Sequence, residues 1–247
     1  MTWIKICGTT NVSDALTAVD AGADAVGFVF FEGSPRKVNK ETARDIVSQL
    51  PDHVEKVGVF VNPEQGQVVD TVNEVRLTAT QCRLQRPANG PAEGERFYQP
   101  IRILVPLSVP LLLQDENRLR GLIADFSRVA DEANRPGRPK KSNQLDTFLL
   151  DSGTPQEPGG TGKKFDWQRI APLVQIMNKS VKVVIAGGLT PDNIAEAMRI
   201  LRPWGVDVAS GVEVEPGKKD PGKVRVNSSI CCGLTQAGPR RYFSLAV

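Results

Sequence analysis

Lys5 and Cys7 stand two apart in the apolar run from Trp3 to Cys7. In a strand that spacing turns both side chains to one face. A neighbouring ammonium favours thiolate, so the pair predicts a lowered thiol pKa and a usable base or nucleophile. A small buried apolar thiol is the alternative. Asp151 closes a second apolar run, Phe148, Leu149 and Leu150. Partial desolvation there would raise its carboxyl toward the range of a general acid, with a turn or cap aspartate as the alternative. A thiol base and a carboxylic acid facing each other suit proton shuttling, an isomerisation that needs neither metal nor redox cofactor.

Two bare turns accompany them. Gly187-Gly188 precedes a helix expected to open at Pro191, so amide hydrogens and a helix dipole can converge on an anion. Ser210-Gly211 supplies a second turn of the same kind, and Ser34-Pro35-Arg36 adds a guanidinium. Glycines that merely permit tight turns are the plainer reading. Gly159-Gly160-Thr161-Gly162 reads equally as a lid over substrate or as a plain loop.

These residues must be positioned by regular elements, and the pattern supplies them. Short runs rich in Val, Ile and Phe alternate with helix-like stretches, as in parallel strands covered by crossover helices. Strands are expected at 3–7, 25–30, 57–61, 76–81, 101–105, 147–151, 181–186 and 206–209. Helices are expected at 11–21, 39–50, 63–72, 167–177 and 191–201. Eight strands over most of 247 residues fit a (β/α)8 barrel, an α/β fold whose site lies at the carboxyl ends of the strands. An open doubly wound sheet would want a GxGxxG turn after strand one, and Cys7-Gly8-Thr9-Thr10-Asn11 does not supply it.

Composition excludes several classes. Lys and Arg exceed Asp and Glu by 31 to 28, and six of the basic residues follow Pro216, so no basic stripe for nucleic acid marks the body. No run of about 18 apolar residues occurs, and the start lacks a secretion signal, which predicts a cytoplasmic chain that does not enter a membrane. Four cysteines without CxxC spacing read as reduced thiols. The one histidine, His53, argues against a histidine-rich zinc site and a Ser-His-Asp triad and reads as a surface residue. No metal is expected. The segment 131–143, with prolines and basic residues, reads as an exposed connector.

Taken together, the motifs identify a family. The chain resembles phosphoribosylanthranilate isomerase, a barrel enzyme of tryptophan biosynthesis. The segments that carry this are Lys5-Ile6-Cys7-Gly8-Thr9, Gly27-Phe28-Val29-Phe30 with Ser34-Pro35-Arg36, Gly58-Val59-Phe60-Val61, Leu149-Leu150-Asp151-Ser152 with the 159–162 loop and Phe165-Asp166-Trp167, Ala186-Gly187-Gly188-Leu189-Thr190-Pro191-Asp192-Asn193, and Val206-Asp207-Val208-Ala209-Ser210-Gly211-Val212-Glu213 followed by Pro216-Gly217-Lys218-Lys219-Asp220.

The resemblance implies an Amadori rearrangement of N-(5-phosphoribosyl)anthranilate to 1-(2-carboxyphenylamino)-1-deoxyribulose 5-phosphate. It implies Asp151 as the acid on the furanose oxygen and Cys7 as the base at C2. It places Arg36 at the anthranilate end and gives the phosphate to Gly187, Gly188, Ser210 and Gly211. The ligand would be a small phosphosugar and the protein a monomer or homodimer, without a cofactor. Another phosphate-binding barrel enzyme is the neighbouring alternative, but the histidine-pathway isomerase would want an aspartate where strand one ends in Cys7. A catalytically impaired phosphosugar-binding remnant is the other.

Three segments depart from the family pattern. The Gln-Leu-His-Gly stretch expected after strand four reads Gln81-Cys82-Arg83-Leu84, without its histidine. Val105-Pro106-Leu107-Ser108-Val109-Pro110 carries two prolines where strand five should lead into a helix. Beyond Val226 the residues show no helical stripe, so the barrel is expected over 1–225 with an atypical tail at 226–247 in place of the last helix. Local reading-frame slips in the gene and genuine divergence both account for such patches.

Overall fold

In the computed structural model the described residues are 2–64, 66–83, 102–115, 117, 119–125, 147–154 and 162–233. Eight parallel strands close on themselves in chain order: β1 Trp3–Cys7, β2 Ala25–Val29, β3 Glu55–Val61, β4 Ala79–Arg83, β5 Arg102–Ser108, β6 Thr147–Asp151, β7 Lys182–Ala186 and β8 Gly205–Val208. Alternation along each strand sorts the side chains. Ala25, Val57, Ala79, Leu104, Leu149 and Val184 meet Trp3 inside the barrel, while Ile4, Ile6, Val26, Phe28 and Phe60 join the larger core under the helices. Trp204 stacks on Trp3 with ring centroids 5.2 Å apart and closes the amino-terminal end.

The covering helices are α1 Val12–Asp20, α2 Lys40–Val47, α3 Gln67–Val75, α4 Val109–Gln114, α5 Trp167–Met177, α6 Ile194–Leu201 and α7 Pro221–Gly233. Asn11, Asn39 and Asp166 cap α1, α2 and α5 by accepting from the backbone N–H three residues on. Residues 119–125 are also helical. After β8 a 3-10 turn, Ser210–Val212, leads into a small hairpin of β9 Glu213–Glu215 and β10 Lys218–Lys219.

Several boundaries differ from the sequence reading. The third helix starts at Gln67 rather than Pro63, after Gly66 turns the chain at a φ of 81°. The fourth strand begins three residues later than expected, because Arg76 takes a left-handed conformation that ends α3. The sixth helix starts at Ile194, not Pro191. The two prolines of β5 and α4 fit for separate reasons. Pro106 lies beyond Leu104, where pairing with β4 stops, and faces only β6. Pro110 sits in the first turn of α4, where its missing N–H costs nothing.

The expected irregular tail needs a larger correction, since α7 is a helix that runs across the 225/226 division. Asp220 accepts from the Lys223 N–H at 3.0 Å and starts it beside Pro221. Its buried positions, Val224, Asn227, Ser228 and Cys231, have helical spacing, but two of the four are polar. That hides the stripe from a hydropathy reading. The segments 84–101 and 131–143 lie outside the described residues, as do Gly159, Gly160 and Thr161 of the expected lid. No helix among the described residues is long and apolar enough to cross a membrane, and His53 is exposed.

Candidate active site

The carboxyl ends of the strands surround an open pocket. Its floor follows from alternation on β1, where Trp3, Lys5 and Cys7 all point inward. Gly27 of β2 pairs with Cys7, and a Cβ there would meet the Cys7 Sγ at 2.8 Å and Lys5 Cε at 3.0 Å. A bare position on β2 therefore makes the room that the thiol and the ammonium occupy.

Lys5 is fully buried and donates to Asp207 Oδ2 at 2.9 Å and Gln81 Oε1 at 3.0 Å. Burial disfavours its charge, but Asp207 and Cys7 outweigh that and hold the ammonium above its usual value. Burial also pushes the Cys7 thiol up, and Lys5 reduces the rise without reversing it. This corrects the expectation of a lowered thiol pKa. Asp207 already takes much of the lysine's field and adds its own negative charge near the sulfur.

Asp151 ends β6 at the same mouth, with only 7% of its surface exposed. Burial raises its carboxyl above the usual range, as the sequence suggests, against the opposing effect of Arg83. The Arg83 guanidinium ends β4 and is ion-paired to Asp151 Oδ2, while the Gly153 N–H donates to Oδ1 at 3.2 Å.

Between Asp151 and Cys7 around the rim, after β7 and β8, lie the glycine turns. Gly187 and Gly188 have φ values of 89° and 65°, and added Cβ atoms would fall 2.2 Å from Ser152 Oγ and 2.5 Å from the Lys163 carbonyl carbon. Only glycine fits either place. The Asn193 amide ties this turn down by donating to Gly188 O at 2.8 Å and accepting from Thr190 N–H at 2.9 Å. Gly211 lets the turn after β8 pack on the one after β7, since a Cβ would lie 1.8 Å from Leu189 O.

Arg36 lines the pocket with its stem against Gly8, but its Nε and Nη2 grip both carboxylate oxygens of Glu213 at 2.7–3.1 Å. Lys219 bonds the same Glu213 at 2.7 Å and the Cys7 carbonyl at 2.6 Å. Burial opposes ionisation of Glu213, yet the two cations hold its carboxyl below the usual range.

The model of the N-(5'-phosphoribosyl)anthranilate isomerase family matches residues 4–85 and 117–227. The chain belongs to this isomerase family. It is 42% identical to the N-(5'-phosphoribosyl)anthranilate isomerase of Pelobacter propionicus, over 90% of this chain and 91% of that one. The crystal structure of phosphoribosyl anthranilate isomerase from Thermotoga maritima superposes with a TM-score of 0.71 at 36% identity, covering 94% of this chain and all of the other. A second solved structure of such an isomerase holds reduced 1-(o-carboxyphenylamino)-1-deoxyribulose 5-phosphate, and it matches with a TM-score of 0.68 at 33% identity over 94% of this chain and all of that one.

In this isomerase family member the pocket collects Cys7, Asp151, Arg36, Gly187, Gly188 and Ser210 from five separate strand ends or loops. Gly211 stands just behind the lining, where its role is the close packing on Leu189. Among the described residues no cluster of His, Cys, Asp or Glu is arranged to hold a metal. Sequence reasoning missed Gln81, Arg83, Asp207, Glu213 and Lys219 as parts of the site. Period-two counting inward along β4 and β8 finds the first three, since Ala79 and Gly205 face the interior. Glu213 and Lys219 carry no such signal, because a hairpin after β8 brings them back over the mouth.

Proposed function

We propose that this member of the tryptophan-biosynthesis isomerase family rearranges N-(5'-phosphoribosyl)anthranilate to the corresponding 1-deoxyribulose 5-phosphate, with Asp151 as general acid and Cys7 as general base. Asp151 gives its proton to the furanose ring oxygen as the C1–O bond breaks, and the nitrogen lone pair forms the C1=N bond of a Schiff base. Cys7, as thiolate, then removes the proton from C2. The C2–H electrons form the C1=C2 bond of an enolamine while the C=N pair returns to nitrogen, and tautomerisation gives the ketose. The turns at 187–188 and 210–211 receive the phosphate on backbone amides. Arg36 lies at the anthranilate end, its guanidinium fixed by Glu213.

The observation that carries this reading is that Cys7 and Asp151 open into one pocket beside both glycine turns. The protein works on this small phosphosugar without a cofactor, in the cytoplasm, as a monomer or homodimer. The test follows the fluorescence of freshly generated phosphoribosylanthranilate as it is consumed. Cys7→Ser and Asp151→Asn are each expected to lower turnover by about 10²–10⁴-fold. Wild-type turnover no faster than that of either variant refutes the assignment.

A further inference from the structure

We propose that Arg83 is a positioning residue that sets how often the Asp151 carboxyl carries the proton it must donate. The inference rests on Asp151 as the general acid. Arg83 occupies an inward position at the end of β4, beyond Ala79 and Gln81 on the same face. Its guanidinium binds Asp151 Oδ2, and both side chains are nearly enclosed, with 12% and 10% of their surface exposed. A pair so shielded is screened little by salt. Arginine keeps its charge throughout the pH range in which a carboxyl titrates.

Other groups face the carboxyl from the neighbouring elements. Among the described residues, Lys5 of β1 and Asp207 of β8 act on it electrostatically from across the barrel, with opposite signs. The strands flanking β6 bring no charge to this level, since β5 offers Ser108, whose hydroxyl donates to Gly153 O at 2.6 Å, and β7 ends in Ala186 ahead of Gly187. Arg83 is thus the charge in direct contact with Asp151.

The chemistry requires a thiolate at Cys7 together with a carboxylic acid at Asp151. That form holds as many protons as thiol plus carboxylate, the form that ordinary thiol and carboxyl affinities favour. Turnover on the pH plateau then scales with the minority in which one proton has moved from sulfur to carboxyl. A guanidinium on the carboxylate holds this minority down, even while it fixes the direction of the oxygen atoms. Burial pushes Asp151 the other way.

The experiment compares pH profiles of kcat/KM for wild type, Arg83→Gln and Arg83→Lys. With the charge removed, Asp151 keeps its proton to higher pH. In Arg83→Gln the low-pH limb, which reports the carboxyl, moves up, and the plateau rises by about 3- to 10-fold. Arg83→Lys, which keeps the charge, holds the limb near the wild-type position. A limb unmoved in Arg83→Gln, at whatever activity, overturns the proposal, because loss of packing alone lowers the whole profile in place. Arg83→Met serves the same comparison should the glutamine variant fail to fold. Asp151→Asn separates the two claims: wild-type activity in it removes Asp151 as the acid, whereas an inactive Asp151→Asn beside an unmoved limb in Arg83→Gln defeats the role of Arg83 alone.

Discussion

The mouth of the barrel between β1 and β8 and the last helix both bury polar groups, and they treat them differently. At the mouth Lys5, Arg36, Asp207, Glu213 and Lys219 are each no more than 8% exposed, and every one has an ionic partner within 3 Å, leaving Asp207 Oδ1 as the one buried oxygen of this set without a hydrogen-bond partner among the described residues. In α7, Asn227 and Ser228 are at most 1% exposed, and their side-chain polar atoms find no hydrogen-bond partner among the described residues. Val226 beside them is half exposed. The helix thus turns one valine outward while it buries an amide and a hydroxyl. A buried charge that is paired can be kept, while an orphaned amide or hydroxyl only subtracts from stability. The site is therefore the well-determined part of this molecule, and the wall behind it is the weak one.

Removing the shared carboxylate disrupts the satisfied side most. Glu213→Ala strands the guanidinium of Arg36 and the ammonium of Lys219 in a buried place, and urea unfolding is expected to show a loss of about 3–5 kcal/mol. A loss under 1 kcal/mol would mean that water reaches these cations and that the mouth is no better built than α7.

The next effect sharpens the other side. Asn227→Leu removes two orphaned polar atoms and is expected to stabilise by about 1–3 kcal/mol, and Ser228→Ala by about 1 kcal/mol, with turnover unchanged. Thermal unfolding of both variants checks this. Destabilisation would show that the two side chains have partners after all.

The smallest effect is in the pH dependence of stability. The Glu213 carboxyl lies below its reference value of 4.5 in the folded chain. The unfolded chain therefore binds this proton first as the pH falls. The contribution is complete above about 4.5 and is lost as the pH drops through the folded value. Glu213→Gln is expected to flatten that part of the acid-unfolding curve and to leave the slope above pH 6 unaltered. An acid limb identical to the wild type would remove Glu213 from the ionic cluster.

The same contrast explains how much could be read beforehand. The alternation of Val-rich runs with capped helices gave β1, β6 and α5 to the residue, because each repeats a local rule with strong end signals: a strand period of two, or an asparagine or aspartate cap. The starts of α3 and α6 differ from expectation, since a proline near a helix entrance suggests a first turn where Gly66 or Asn193 precedes the actual start. The helix α7 was hidden because its inward face is half polar. The direction of the Cys7 shift was missed because two residues in one strand reveal a neighbouring lysine but not the aspartate, 202 residues away, that holds it.

Strand period, chain order and absent side chains are local properties, so the barrel, the thiol and carboxyl at its rim, and the glycines of the two turns are all legible along the chain. The electrostatics arise from the closed fold. Closing the sheet puts Asp207 against Lys5, Arg83 against Asp151 and Glu213 between Arg36 and Lys219. Charges interact through space, and distance along a chain says nothing about distance across a cylinder.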